Sequence, residues 1–194
     1  MARTASSRRP SARNRILTAA SDLFYKEGVN KVGIDRIIAE SGVAKMSLYN
    51  NFKSKDDLIA AYLEQFDQSW TPAFQKKVEE LADEPTDQLL AIFDVLHGWF
   101  QKPDFRGCAF VNTSVELANP DHPAAQIAAK HKQMTMAYIE SLAEAAGLQN
   151  AESLAFQIAI LIEGAIALAL MGQKEQAAVH AKAAAVVLVA AHRE

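Results

Sequence analysis

Apolar residues recur three and four positions apart along most of the chain, the spacing of helices that bury one face. Ile16, Leu17, Ala20, Leu23 and Phe24 form the first such stripe, with Ser11 placed to cap it and Gly28 to end it. A shorter stripe of Ile34, Ile37 and Ile38 follows and is broken by Ser41-Gly42-Val43. A third short helix is predicted from about residue 44 to residue 50. Ser54, with Asp57 three residues on, is an Asp version of the capping box. It opens a fourth helix striped by Ile59, Tyr62, Leu63, Phe66 and Trp70.

The same period continues to the C-terminus. Pro85 suits the first turn of a helix bearing Leu89, Ile92, Phe93, Leu96, Trp99 and Phe100. Residues 103–118 form a separate segment ended by Asn119-Pro120. Pro123 opens the next helix, which stops at Gly147. Asn150 caps another that stops at Gly172, and the last runs from about Lys174. No strand alternation and no fixed-period repeat occurs. The expectation is an all-α fold of about nine helices, with a boundary in or just after the fourth.

Composition agrees. Of 36 alanines, 22 lie in the 71 residues from Ala124 onward, and alanine is the best helix former. A chain of 194 residues, half of them hydrophobic, can bury one good core or two small ones. Disorder, collagen-like repeats and a disulfide scaffold are excluded, the last because Cys108 is the one cysteine. The net charge of −3 conceals an asymmetry. Residues 1–55 carry 11 Lys+Arg against 4 Asp+Glu, or +7, and residues 56–194 carry 9 against 19, or −10. A basic N-terminal third points to an anionic partner, nucleic acid first.

The Arg-rich start is followed by no apolar core of a signal peptide; an organellar transit peptide is the alternative for such a start. The most apolar stretch, residues 158–172, is fifteen residues long and contains Glu163, short of the roughly 20 that span a bilayer. A cytoplasmic protein with no membrane partner is expected.

Two short helices joined by Glu40-Ser41-Gly42-Val43 make a helix-turn-helix over about residues 33–52. Val43, Ile38 and Leu48 would form its small core. Lys45, Met46, Ser47, Tyr49 and Asn50 would then face outward, with Lys53 and Lys55 beside them, giving donors for base edges and cations for phosphates. No GxGxxG, P-loop, HExxH or GxSxG motif occurs, and His97, His122, His131, His180 and His192 lack metal-ligand spacing. Neither catalysis nor a cofactor is expected.

Three stretches carry a family likeness: residues 16–24 (ILTAASDLF), residues 37–43 (IIAESGV) after Gly28, and residues 47–58 (SLYNNFKSKDDL). Over residues 11–70 the chain resembles the TetR family of bacterial transcriptional regulators. Residues 1–10, polar, basic and aperiodic, read as an arm; the resemblance implies an N-terminal three-helix helix-turn-helix DNA-binding domain over 11–70 and a C-terminal helical domain over 71–194 that binds a ligand and dimerises. It also implies a homodimer on a palindromic double-stranded DNA operator, with Lys45, Ser47, Tyr49 and Asn50 at the DNA and Tyr49 and Lys55 on phosphate. Two positions depart from the family pattern: Ala44 stands where a Ser or Thr cap is usual, and Met46 where Gly is common. Met46 offers an apolar contact to a thymine methyl.

In the acidic body, the alanine-faced stretch 177–191 and the face of Leu161, Ile162, Ala165, Leu168 and Ala169 suit a four-helix dimer seam, or burial within one subunit. Phe93, Leu96, Trp99, Phe100, Phe110, Met134 and Tyr138 are pocket candidates, each also suited to plain core. His97, Asn112 and Glu163 interrupt apolar stretches. An unpaired buried carboxylate is costly, so Glu163 is exposed, paired or facing a cationic ligand. Cys108, in a Gly-Cys segment beside Arg106, is either a sensor of electrophiles and oxidants or an inert buried thiol. Three functions follow: a repressor released by a small-molecule effector, a thiol-based sensor through Cys108, or a ligand-independent architectural DNA binder.

Overall fold

The structure is a computed structural model and describes residues 10–193. The arm expected over residues 1–10 therefore lies, Pro10 apart, outside the described residues. Nine helices and no strand are found among the described residues.

Helix α1 (Ala12–Glu27) begins at Ser11, whose hydroxyl accepts from the Asn14 amide at 3.2 Å, and it ends at Gly28. Helices α2 (Ile34–Ser41) and α3 (Lys45–Asn51) are separated by Gly42 in the left-handed region, φ 60°. With the start of α4 (Lys55–Leu81) they enclose a core of Ile16, Ala20, Ile37, Leu48 and Leu58. Ile37 is the fully buried residue of α2; Ile38 and Val43 are only half-buried against that core. The capping box at α4 is reciprocal: the Asp57 amide donates to the Ser54 hydroxyl at 3.0 Å, and the Lys53 amide donates to the Asp57 carboxylate at 3.1 Å.

Helix α4 runs unbroken through residue 70, where the sequence places a boundary. Phe66, Trp70, Phe74 and Val78 keep its stripe at intervals of four, and Pro72 sits on the exposed side. One 27-residue helix thus belongs to both halves of the molecule.

The body comprises α5 (Pro85–Phe100), α6 (Ala109–Leu117), α7 (Pro123–Ala145), α8 (Ala151–Leu170) and α9 (Ala177–Ala191). Helix α5 lies at its centre, packed by α4, α7, α8 and α9. The last helix starts at Ala177, three residues later than Lys174. Asn150 occupies the N-cap position of α8 in the left-handed region, φ 52°, and its side chain makes no cap bond.

Helix α8 also corrects the apolar length read from sequence. It spans 20 residues, so it is long and apolar enough to cross a membrane by length and composition. Its inner face, from Leu154 through Ile158, Ile162 and Ala165 to Ala169, is core. Of the face suited to a dimer seam or to burial within one subunit, Ile162, Ala165 and Ala169 are buried within the subunit. Phe156, Ile160 and Leu168 on α8, with Val179, Val186 and Val187 on α9, form the exposed apolar surface instead.

Candidate nucleic-acid interface and effector cavity

Helix α3 presents its polar side outward because Leu48, fully buried, pins the other side to α1. Met46 is 71% exposed and Tyr49 46% exposed, large apolar and aromatic surface for a helix end facing water. Lys45, Asn50 and Lys53 are exposed, and Ser47 and Lys55 half-buried. Lys45 Nζ lies 3.4 Å from Asp35 Oδ1 in an exposed pair. Ala44 provides no side-chain cap, as its chemistry requires, so the first amides of α3 have no side-chain acceptor there. Arg15, on α1, has a structural task. Its guanidinium reaches the Ser41 carbonyl at 2.5 Å and the Gly42 carbonyl at 2.7 Å, clamping the turn of the helix-turn-helix from α1. A five-donor fork suits two adjacent carbonyls.

Beneath α4 lies a cavity walled by α4, α5, α6, α7 and α8. The space between its walls is about 670 Å³, of which only about 60 Å³ is open to the centre of a water-sized sphere. Of the residues proposed from sequence, Leu96, Trp99, Cys108, Phe110, Tyr138 and Glu163 line it. Phe93 and Phe100 are fully buried core and lie outside its lining. His97 and Asn112 also lie outside it: His97 is one residue, hence about 100°, round the helix from Leu96, and the Asn112 amide donates to the Arg106 carbonyl at 2.8 Å. Met134 is 47% exposed and lies outside the lining.

The cavity also contains residues that the sequence reading did not place in a pocket. Trp70, Thr71 and Phe74 belong to α4, and His131 and Lys132 to α7. His131, 5% exposed, stacks on Phe110 with centroids 3.7 Å apart and 9° between planes. Its Nδ1 lies 2.7 Å from Asp67 Oδ1 on α4; a carboxylate only accepts, so Nδ1 carries the proton. The Thr71 hydroxyl donates to the same oxygen at 2.8 Å. Burial lowers the His131 pKa, outweighing the Asp67 hydrogen bond that raises it.

Glu163 is paired, which answers the question left open by its apolar surroundings. Its carboxylate meets Lys132 Nζ, which also lies 3.5 Å from Cys108 Sγ. Burial pulls the Lys132 ammonium down, but Cys108 and Glu163 together hold it above its ordinary value. Tyr138 Oη is buried with no hydrogen-bond partner among the described residues. No group of three or more His, Cys, Asp or Glu among the described residues is placed to hold a metal ion.

Contacts between the body and the head are specific. Tyr25 Oη on α1 accepts from the Arg106 amide at 3.1 Å and donates to the Gly107 carbonyl at 3.2 Å, directly before Cys108. The Asn30 amide donates to Glu116 Oε2 at 2.8 Å, and Asn30 Nδ2 donates to the Glu116 carbonyl at 2.6 Å. His122 Nε2 at the start of α7 lies 3.4 Å from Asp56 Oδ1 in the first turn of α4.

A helix-turn-helix head fused through one continuous helix to a helical body with an internal cavity defines the class: a helix-turn-helix transcriptional regulator. Residues 16–62 match the family of bacterial regulatory proteins, tetR family, and residues 85–185 match the tetracyclin repressor-like C-terminal domain. The chain belongs to the TetR family of DNA-binding transcriptional regulators. SCO4454, a TetR-family transcriptional regulator from Streptomyces coelicolor, is 31% identical, with a TM-score of 0.87 over 94% of this chain and 96% of that one. The reduced form of Escherichia coli NemR shares the fold at 19% identity, with a TM-score of 0.81 over 92% of this chain and 97% of that one. The transcriptional activator FasR of Mycolicibacterium smegmatis is 39% identical over 57 residues, 29% of this chain and 26% of that protein. An HTH-type regulator of Lactococcus lactis is 26% identical over 110 residues, 56% of each chain. The chain thus spans about half or less of these two curated relatives.

Proposed function

We propose that this protein is a non-catalytic, cytoplasmic repressor that binds a palindromic operator as a homodimer and is released by a small molecule entering the cavity. The observation that carries the reading is the double role of α4. Phe66, Trp70, Thr71 and Phe74 form one wall of the cavity, and the same helix is entered directly from the recognition helix α3. An occupant larger than the free space must move that wall. The exposed apolar faces of α8 and α9 supply the dimer seam, which sets the two recognition helices about one helical turn of DNA apart. Lys45, Met46, Ser47, Tyr49 and Asn50 read the groove, and Lys53 and Lys55 meet phosphates. Leu96, Trp99, Phe110 and Tyr138 are the ligand contacts retained from sequence, joined by Trp70, Phe74 and His131. Selection of bound sites from random DNA tests the reading: a two-fold symmetric site supports it. Binding without site preference, at any salt, would favour architectural packing of DNA and defeat it.

A second reading is favoured by one contact. Cys108 lines the cavity, and Lys132 Nζ lies 3.5 Å from its sulfur. In that reading, an electrophile in the cavity adds to Cys108 and the covalent adduct releases DNA. Cys108→Ser should then bind the operator normally and stop responding to N-ethylmaleimide. An unchanged response ends the idea.

A further inference from the structure

We propose that the groove between α4 and α5 is the head-group half of the effector site, and that the effector is an amphipathic monoanion. Its apolar body occupies the cavity and its carboxylate, or a like anion, sits between Lys77 and Lys102. The inference rests on the reading of the cavity as the effector site.

The cavity itself asks for an uncharged, apolar occupant. Its one internal cation, Lys132, is already neutralised by Glu163, so an anionic group placed there would compete with a resident carboxylate. Free space for a water-sized sphere is about 60 Å³, whereas sites for small organic ligands span roughly 300–1,000 Å³. An occupant of ordinary size must therefore continue beyond the present walls.

One wall leads into a second space. Trp70, Phe74 and Trp99 line both the cavity and a groove on its outer side between α4 and α5. Trp70 stacks on Phe74 with centroids 4.7 Å apart and lies 5.3 Å from Trp99, so these rings form a screen one side chain thick. Both indoles are half-buried. The groove offers about 340 Å³ to the same water-sized sphere, and at Gly98 an added Cβ would meet nothing within 4 Å. The rings need only part for one elongated molecule to occupy both spaces.

Charge then selects the head group. Four charged side chains border the groove: Lys77, Glu80, Asp94 and Lys102. Both acids are engaged by cations from outside it, Glu80 by Lys76 at 3.5 Å and Asp94 by Lys182 at 2.6 Å. Lys77 and Lys102 have no ion pair among the described residues. The groove is thus bordered by two unpaired ammonium groups on a body whose net balance is strongly acidic. Long lysine stems can lie along the aromatic screen while their charges meet an anion at the mouth.

The chain has two tryptophans, Trp70 and Trp99, and both stand in the screen. Tryptophan fluorescence of the full-length protein therefore reports occupancy directly. Decanoate, decan-1-ol and decyltrimethylammonium share a tail and differ in head charge; each is titrated below its critical micelle concentration. Decanoate is expected to bind roughly five-fold tighter than either, as two exposed charge contacts would provide, with the gap closing at high salt. Lys77→Ala/Lys102→Ala, both at the surface, should bring decanoate down to the level of decanol and leave decanol unchanged. Equal affinity for all three heads in the wild type, or a decanoate preference that survives the double variant, overturns the proposal while leaving the cavity reading intact. Absence of any fluorescence change with all three overturns the cavity reading and the proposal together.

Discussion

Gly28 joins the head to the body at a point where both backbone and space exclude a side chain, so Gly28→Ala is a sharp test of that junction. Its φ of 91° and ψ of 151° lie in a region open essentially to glycine alone, and forcing an alanine there costs about 1–3 kcal/mol. A Cβ would also lie 2.7 and 2.8 Å from the two carboxylate oxygens of Glu116. The carboxylate must then swing away from the Asn30 amide it accepts from. That contact is exposed, so its loss adds only about 1 kcal/mol. The sum, about 2–4 kcal/mol, corresponds to a melting temperature lowered by roughly 5–12 °C for a domain of this size. Circular dichroism melts at one fixed protein concentration measure it, because the midpoint of any dimer depends on concentration. Glu116→Ala removes the steric part, so Gly28→Ala in that background should lose about 1 kcal/mol less than alone. A variant that melts within about 1 °C of the wild type, or shows no coupling to Glu116, would refute the reasoning.

Lys55→Ala should weaken binding to all DNA alike and reduce the slope of log affinity against log salt by about one, read by gel shift at several salt concentrations. Tyr49→Phe should weaken operator binding through a lost phosphate hydrogen bond while leaving the melting temperature within error, since the ring is exposed. Arg15→Ala releases the turn carbonyls of Ser41 and Gly42 and should lower both stability and operator affinity; retention of full affinity would show that the clamp is dispensable. His131 has a lowered pKa, so as the pH falls through about 6.5 the unfolded chain takes up a proton before the native one, and stability declines. His131→Asn should therefore lose less melting temperature than the wild type between about pH 8 and pH 5.5, and identical losses would refute the assignment.

The helix-turn-helix was legible because its information is local. Caps at Ser11 and Ser54, glycines at 28 and 42, and a three-and-four spacing that buries Ile16, Ile37 and Leu48 each act within a few residues. The length of α4 was not legible, because a boundary in or just after the fourth helix fixes no helix end; Pro72 falls on the solvent side and leaves the buried stripe intact. The cavity was half legible. Periodicity turns Leu96 and Phe110 inward, but it does not say which inward positions border empty space, so Phe93 and Phe100 looked equally suitable. The polar wall was hidden because its partners are remote in sequence: Asp67 and His131 are 64 residues apart, and Lys132 and Glu163 are 31 apart. His131 was weighed only as a metal ligand. A histidine followed four positions later by Thr135 and seven by Tyr138 marks one polar stripe of a helix, the single sequence clue that pointed there.

Pro72 divides α4 unequally, and the division has a mechanical consequence. Lacking an amide hydrogen, proline removes one rung of the helix ladder and makes that turn the easiest place to bend. Seventeen residues, Lys55 to Thr71, extend from it toward the helix-turn-helix, about 25 Å at 1.5 Å per residue. A rotation of about 5° at that turn sweeps the α3 end of the arm through roughly 2 Å. In the proposed symmetric dimer both arms would move, so the separation of the two α3 helices would change by up to twice that, against a half-site spacing of about 34 Å fixed by the duplex. Trp70 and Phe74, placed two residues to either side of Pro72, stand at the fulcrum, where a small push is converted into the largest displacement at the far end.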